Sequence, residues 1–124
     1  MKKIIFVVDD SETNLIAAEA ALEDYYIVIT IPSGKEAIAL LEKVRPRLIL
    51  LDIEMPGMNG FEVLEQLRAD KRFIDIPVMF LTGRVDDKIK SRALSLGVSD
   101  VVIKPFNAPI LLEQIQKYAP LRRR

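Results

Sequence analysis

The chain has 124 residues, half of them hydrophobic, with 18 basic and 18 acidic side chains and neither cysteine nor histidine. This balance predicts one domain with a core of ordinary size, and it indicates neither direct nucleic-acid binding nor a membrane segment. Without cysteine there is no disulfide and no thiolate chemistry, which favours a cytoplasmic location. Chemistry that needs a histidine must take it from another protein.

Five short apolar runs predict five strands. They are nearly continuous rather than alternating, which is typical of strands covered on both faces. Segments in which apolar residues recur at helical spacing follow each run, beginning with Leu15, Ala18 and Leu22. The runs are residues 4–8, 27–31, 48–51, 78–81 and 101–103.

Polar, proline and glycine residues mark the ends of the predicted helices. Ser33, which has an acid three residues later, predicts a capping box, and Asn59 and Asn107 predict two further helix starts. Pro46 predicts the end of the second helix, and Gly97 predicts the end of the fourth. Strand and helix therefore alternate five times, as a (βα)5 chain.

Parallel strands need crossovers, which are right-handed almost without exception. The alternation therefore predicts an open, doubly wound α/β sheet with helices on both faces. Residues 1–120 are expected to form this single domain. Residues 121–124, which include three arginines, are expected to be a basic tail, the start of a linker or a tag remnant.

Ligands of such sheets bind outside the carboxyl ends of the strands. Residues that could bind a ligand or take part in a reaction follow four of the five predicted strands, so they should share one edge of the sheet. They are Asp9 and Asp10 after the first strand, Asp52 after the third, Thr82 and Gly83 after the fourth, and Lys104 and Pro105 after the fifth.

Three aspartates at one edge predict a cation site. Two carboxylates about 4 Å apart repel each other by roughly 4 kcal/mol at an effective dielectric constant near 20. A hard divalent cation with oxygen ligands, Mg²⁺ above all, would relieve that repulsion. The alternative is that Asp9 and Asp10 only cap the following helix, and the third acid, Asp52, argues against it.

Asp52 is the first polar residue after a buried apolar run. A carboxylate can act as a nucleophile toward phosphorus, and this chemistry requires positioning and neutralisation of the phosphoryl oxygens. Lys104 would supply a positive charge, Thr82 a hydroxyl donor, and Gly83 would remove side-chain bulk beside the site.

These motifs resemble the receiver domains of two-component response regulators over essentially the whole chain. They are VVDDSETN at the first strand, LILLDIEMPGMNGFEVL at the third, PVMFLTG at the fourth and GVSDVVIKPF at the fifth. The resemblance implies a flavodoxin-like strand order of 2-1-3-4-5. It also implies that Asp52 accepts a phosphoryl group from a histidine of a partner kinase or a histidine phosphotransfer protein.

The resemblance implies a Mg²⁺ site, which Mn²⁺ could also fill. Its ligands would be Asp9, Asp10 as the closer of the pair, Asp52 and the backbone carbonyl of Glu54. The chain would then be a signalling domain of the cytoplasm without independent substrate turnover.

The resemblance also implies how the phosphoryl group is sensed. Lys104 would contact the group, Thr82 would move toward it as the switch, and the peptide bond before Pro105 would be cis. An output domain or a downstream protein would respond, or the chain would form a homodimer through its fourth helix, fifth strand and fifth helix. The first helix, about residues 12–24, would contact the kinase.

The sequence departs from the usual receiver pattern at a few positions. Val101 occupies the place of an aromatic residue that reports the switch, so the signal is expected to pass through the loop after Thr82 and the fourth helix, or else to be weak. Gly83 stands where alanine is commoner, which should loosen that loop. Glu54 and Arg84 should border the pocket, and a salt bridge between them would narrow the access of water.

Three other classes of protein compete with this interpretation. A phosphorylation-independent interaction module would keep the fold without the switch. Val101, in the place of the usual aromatic residue, favours this alternative. A Mg²⁺-dependent aspartyl phosphatase of the haloacid dehalogenase type would need a second aspartate at position 54, where the chain has Glu54. A flavodoxin would need a phosphate-binding loop after the first strand, where the acids of DDSETN would repel the flavin phosphate.

Overall fold

The computed structural model describes residues 2–84 and 86–121; the arginines 122–124, predicted as a basic tail, lie outside the described residues. None of the described helices combines the length and the apolar character that a membrane span requires. The elements are β1 Ile4–Val8, α1 Glu12–Leu22, β2 Ile27–Ile31, α2 Gly34–Leu41, β3 Leu48–Asp52, α3 Gly60–Arg68, β4 Val78–Thr82, α4 Asp87–Ser95, β5 Asp100–Ile103 and α5 Ala108–Tyr118.

The five strands form one parallel sheet in the order β2-β1-β3-β4-β5. This confirms the predicted (βα)5 fold and its strand order. The register places Val8 beside Leu51 and Asp52 beside Leu81, so β1, β3 and β4 end at nearly the same level. Polar residues that follow these strands therefore meet at one edge.

Apolar side chains alternate between the two faces of the sheet and fill a core on each. Phe6, Ile49 and Phe80 pack on one face against helices α2, α3 and α4. Ile5 and Leu50 pack on the other face against α1 and α5. Every residue of β3 and β4 is buried, which explains why these two strands have no alternating polar positions.

Side-chain caps fix where the helices begin. Ser11 accepts the Asn14 N–H at the start of α1, and Asn59 forms a full capping box at the start of α3. At α2 the predicted capping box is half formed, because the carboxylate of Glu36 accepts the hydroxyl of Ser33 rather than its backbone N–H. Each cap satisfies a backbone N–H that would otherwise lack a partner.

Helix α2 ends at Leu41, earlier than the position of Pro46 predicted. A further turn follows it, in which the Val44 N–H still donates to the Leu40 carbonyl at 2.9 Å. Proline disfavours helical geometry at the residue before it, so Arg45 leaves the helical path. The predicted end was therefore wrong by a few residues, although the helical path continues beyond the formal end of α2.

Helix α4 is attached to α3 and to the sheet by one stack of side chains. Phe61 of α3 meets Phe80 of β4 edge to face, with ring centroids 5.0 Å apart. The guanidinium of Arg92, on α4, lies 4.0 Å above the centre of the Phe61 ring. Ala93 beside it is fully buried. Aromatic pairs and cation–π contacts each contribute about 0.5–1.5 kcal/mol.

Candidate functional site

The three aspartates predicted to meet do lie together. One carboxylate oxygen from each of Asp9, Asp10 and Asp52 falls within 4.8 Å of the others. Asp9 and Asp52 are buried, whereas Asp10 is exposed. The strand ends bring them together, because Asp9 and Asp10 follow β1 and Asp52 closes the adjacent strand β3.

Asp9 has two carboxylate oxygens in different surroundings. Oδ1 accepts the backbone N–H of Ser11 at 2.9 Å, which ties the acid to the start of α1. Oδ2 is buried and accepts no hydrogen bond among the described residues. The ammonium of Lys104 is 3.3 Å from it and forms an ion pair with it. A buried oxygen of this kind normally requires a partner.

Lys104 reaches across the site from the end of β5. Its Nζ lies 3.0 Å from Asp52 Oδ1, and its backbone N–H donates to the Thr82 carbonyl at 2.8 Å. The peptide bond to Pro105 is cis, as the resemblance implied. Burial disfavours the charged ammonium, but the hydrogen bond to Asp52 and the charges of Asp52 and Asp9 outweigh it and raise the pKa of Lys104.

Asp52 is held between opposing electrostatic influences. Burial and the charge of Asp9 raise the pKa of Asp52, while the hydrogen bond and charge of Lys104 and the Glu54 backbone N–H lower it. Burial dominates, and the resulting pKa is about 6. Asp52 is therefore mostly ionised at neutral pH, although its negative charge is costly there.

The donor set suits a hard divalent cation. Three carboxylates face one ammonium among the described residues, so the cluster keeps an excess of negative charge. Oδ2 of Asp9, which accepts no hydrogen bond among the described residues, and the exposed carboxylate of Asp10 both offer oxygens to the cluster. Mg²⁺ prefers oxygen ligands and keeps several waters, which the exposed side of the cluster can accommodate.

Thr82 closes β4 beside this cluster, and its hydroxyl is bonded within its own loop. The hydroxyl donates to the Arg84 carbonyl at 2.9 Å and accepts the Arg84 N–H at 3.2 Å. The side chains of Arg84 and Glu54 are exposed, and the described structure shows no ion pair between them. The narrowing salt bridge considered from the sequence is therefore not formed in this conformation.

Gly60 is a positioning residue that the sequence motifs did not single out for its role. A Cβ at this position would lie 2.5 Å from the Asp52 carbonyl oxygen and 2.8 Å from the Cα of Ile53. The Gly60 N–H donates to the Ile53 carbonyl at 2.8 Å, so the start of α3 is in direct contact with the backbone at the end of β3, which carries Asp52. Only glycine fits this approach.

Val101, the predicted replacement for the usual aromatic residue, lies on β5 and is half-buried. It packs against the core on the α4 side of the sheet. A groove of about 170 Å³ between α4 and β5 is lined by Val101 together with Lys90, Leu94 and Ile103. The smaller side chain thus leaves open space where a ring would have room.

Comparisons with known proteins agree with this geometry. The family of response regulator receiver domains matches residues 5–116. Hybrid signal transduction histidine kinase D of Dictyostelium discoideum is 41% identical over 115 residues, which is 92% of this chain and 7% of that protein. Protein PilH of Pseudomonas aeruginosa is 34% identical over 112 residues, which is 90% of this chain and 93% of PilH.

The fold also matches solved structures closely. The structure of chemotaxis protein CheY4 of Vibrio cholerae has a TM-score of 0.90 and 30% identity, and the match covers 95% of this chain and 99% of that one.

The first curated relatives are much longer than this chain, which spans between 7% and 27% of their length.

Proposed function

Since the chain belongs to the family of response regulator receiver domains, we propose that Asp52 accepts a phosphoryl group from a phosphohistidine of a partner kinase or histidine phosphotransfer protein. The observation that supports this most is the pairing of buried Asp52 with Lys104 at 3.0 Å, beside Asp9 and Asp10. This arrangement combines a nucleophilic carboxylate with a fixed positive charge. The chain itself has no histidine, so the donor is another molecule.

The transfer forms one bond and breaks one. A carboxylate oxygen of Asp52 attacks the phosphorus, an acyl phosphate forms, and the phosphorus–nitrogen bond of the phosphohistidine breaks with its electron pair going to the histidine nitrogen. The Lys104 ammonium neutralises the phosphoryl oxygens as they approach the buried acids. Such catalysis depends on positioning and charge, which the fixed strand ends provide.

The carboxylates of Asp9, Asp10 and Asp52, with the backbone carbonyl of Glu54, would hold a Mg²⁺ ion, or Mn²⁺ in its place. When bound, the ion supplies Lewis-acid neutralisation of the phosphoryl oxygens. The buried Asp9 oxygen that accepts no hydrogen bond among the described residues and the excess of negative charge support this assignment.

The response to phosphorylation begins at Thr82. Its hydroxyl would leave the Arg84 carbonyl and bind the phosphoryl group, and the loop that follows would carry the change to α4. The face formed by α4, β5 and α5 exposes Leu94, Ile103 and Ile110, each more than half accessible. A downstream protein, an output domain or a second copy would bind that face with changed affinity, in the cytoplasm and without substrate turnover.

Intact mass after incubation with acetyl phosphate tests the proposal. One phosphoryl adduct is expected on the wild-type chain with Mg²⁺, and none with EDTA or on Asp52→Asn. An adduct on Asp52→Asn would overturn the assignment of Asp52. Sustained hydrolysis of a generic phosphate ester would instead favour the aspartyl phosphatase.

A phosphorylation-independent interaction module is the second candidate, and Val101 is the observation that favours it. The half-buried valine cannot undergo the ring rotation that reports the switch in the family. An adduct that leaves partner binding unchanged would support this second candidate.

A further inference from the structure

Strand β2 forms an edge of the sheet, and no described strand pairs with its outer side. The Ile27 N–H donates to the Lys3 carbonyl and the Ile31 carbonyl accepts the Asp9 N–H, so the odd-numbered residues of β2 bond toward β1. Backbone groups alternate in a parallel ladder, so the N–H and C=O groups of Val28 and Thr30 point outward.

Strand β2 itself carries neither of two common features that prevent pairing with another strand, charged side chains and proline. All five residues of β2, IVITI, are β-branched and uncharged, and no proline interrupts them. Ile27 is 45% exposed, although it belongs to a strand. An apolar edge strand without charge or proline is a template for another strand.

Helix α2 forms a groove with this edge. The groove has a volume of about 430 Å³, and β2 lines one side of it with Ile29 and Ile31. Glu36, Ala39, Leu40 and Lys43 line the other side. These four residues recur at helical spacing, and Lys43 stays in line with them because the turn after α2 keeps the bond from Val44 to Leu40.

We propose that this groove binds a second copy of the same chain, with the two β2 strands antiparallel across a two-fold axis at Ile29. In that register Val28 of each copy faces Thr30 of the other, and these are the residues whose backbone groups point outward. Four backbone hydrogen bonds result. The exposed Ile27 faces Ile31 of the second copy, so its apolar surface is covered.

The charges on α2 fit the same axis. The midpoint of the stripe lies between Ala39 and Leu40, so an antiparallel second copy brings its Lys43 toward Glu36, and the reverse. Ile29 lies about 7 Å back from the end of β2, at about 3.3 Å per residue. The stripe midpoint lies about 8 Å along α2 from Gly34, at about 1.5 Å per residue. The two midpoints thus lie at similar distances from the connection between β2 and α2, which is compatible with one two-fold axis passing near both.

This interface is separate from the α4–β5–α5 face and does not depend on phosphorylation. It involves one short strand and one helical stripe, which is typical of a small interface, below about 1,200 Å². We therefore expect a weak, reversible dimer at protein concentrations of roughly 100 µM.

Disulfide trapping tests the geometry directly, because the chain has no cysteine of its own. Ile29→Cys places two thiols opposite each other at a non-hydrogen-bonded position, with Cα atoms about 4.5 Å apart, within the range that a disulfide can span. Thr30→Cys is the matched control, because its two copies lie diagonally and about 8 Å apart, too far for a bridge. Cross-linking of Cys at 29 should be at least about tenfold faster than at 30. Equal rates would overturn the proposal.

Sedimentation velocity tests the contacts between the two α2 helices in variants that contain no introduced cysteine. Lys43→Glu should give a monomer at concentrations at which the wild type dimerises, and Glu36→Lys combined with Lys43→Glu should restore the dimer. Circular dichroism checks that both variants fold. Ile103→Lys, at the other edge of the sheet, should leave the dimer intact. A wild type that stays monomeric at about 500 µM, or a dimer lost only on Ile103→Lys, would overturn the proposal.

Discussion

The ammonium of Lys104 lies 3.0 Å from Asp52 Oδ1, inside a cluster that also holds Asp9. Two strands that are not neighbours, β3 and β5, are thereby joined across the end of β4. Lys104 thus has two effects before any phosphoryl group arrives: it offsets the repulsion between two buried acids, and it occupies space near the atoms that would bind a metal.

We expect Lys104→Met to destabilise the metal-free protein by roughly 1–3 kcal/mol, because Asp9 and Asp52 would then be buried without a compensating charge. Addition of Mg²⁺ should stabilise this variant more than the wild type, since the cation restores the missing charge without displacing an ammonium. Urea unfolding in EDTA and in Mg²⁺ measures both effects. Lys88→Met, at an exposed position of α4, is the control. Equal stability of Lys104→Met and wild type in EDTA would contradict the expectation.

The stability of Asp52→Asn should depend on pH in a defined direction. Folding raises the pKa of Asp52 from 3.8 to about 6, mainly through burial, so the native state binds this proton more tightly than the unfolded state does. The ionised carboxylate therefore costs stability above pH 6. The cost declines as the pH falls through 6 and is lost entirely only below the unfolded-state pKa of 3.8, where both states are protonated.

Asp52→Asn should accordingly be more stable than the wild type by roughly 2 kcal/mol at about pH 7.5 in EDTA, and nearly equal to it near pH 4. Urea unfolding at the two pH values makes the comparison, with Asp24→Asn as an exposed control. A stability difference that does not change with pH would show that the substitution acts through packing instead.

Gly60→Ala should destabilise the protein by roughly 2–4 kcal/mol, because the new Cβ would lie 2.5 Å from the Asp52 carbonyl oxygen. It should also slow phosphorylation of Asp52 by displacing the backbone that carries it. Gly83→Ala is the matched control, since a Cβ there meets nothing within 4 Å. Thermal unfolding and the rate of labelling by acetyl phosphate measure the two effects. If both alanine variants behave alike, the close approach at Gly60 has no consequence.

Arg84→Ala should shorten the life of the acyl phosphate by about threefold, which corresponds to about 0.7 kcal/mol in the hydrolysis barrier. Arg84 belongs to the loop whose backbone holds the Thr82 hydroxyl, and loss of its long side chain should admit water to this loop more readily. Decay of the phosphoryl adduct after removal of the donor gives the rate. An unchanged rate would show that this side chain does not shield the group.

A phosphoryl mimic such as beryllofluoride should shift the amide resonances of residues 82–84 and of α4, because Thr82 must exchange its bond to Arg84 for one to the mimic. We expect smaller shifts at Val101, which has no ring to rotate. Two-dimensional NMR spectra with and without the mimic measure the shifts in both regions. Asp52→Asn should show no shifts in either region. Spectra that coincide throughout α4 and β5 would mean that no change is transmitted.

The sequence predicted the architecture well because the relevant signals are local. The apolar runs predicted both boundaries of β1 and β2 correctly and those of the other strands to within one residue, since buried parallel strands have few polar positions. The cap at Asn59 and the glycine after α4 were also correct. The end of α2 was not, because Pro46 fixes only where helical geometry must stop and not where its regular hydrogen bonding ends.

The site was predictable as a group of residues but not in its bonding. Strand-end positions placed Asp9, Asp52 and Lys104 at one edge, and the structure brings them together. Which atoms pair depends on side-chain rotamers, so the bond of Thr82 to its own loop could not be foreseen. The close approach at Gly60 likewise depends on the distance between α3 and β3, which the spacing of residues does not give.

The stack of Arg92 on Phe61 holds α4 near its middle, where Ala93 is also buried. A helix that is held near its middle and displaced at its N-terminal end tilts more readily than it translates. A movement that preserves the stack would therefore tilt α4 about Arg92, and the end near Thr82 and the end near Leu96 would move in opposite directions. A small inward displacement near Thr82 would then produce an outward displacement at the far end of α4, without any aromatic ring on β5.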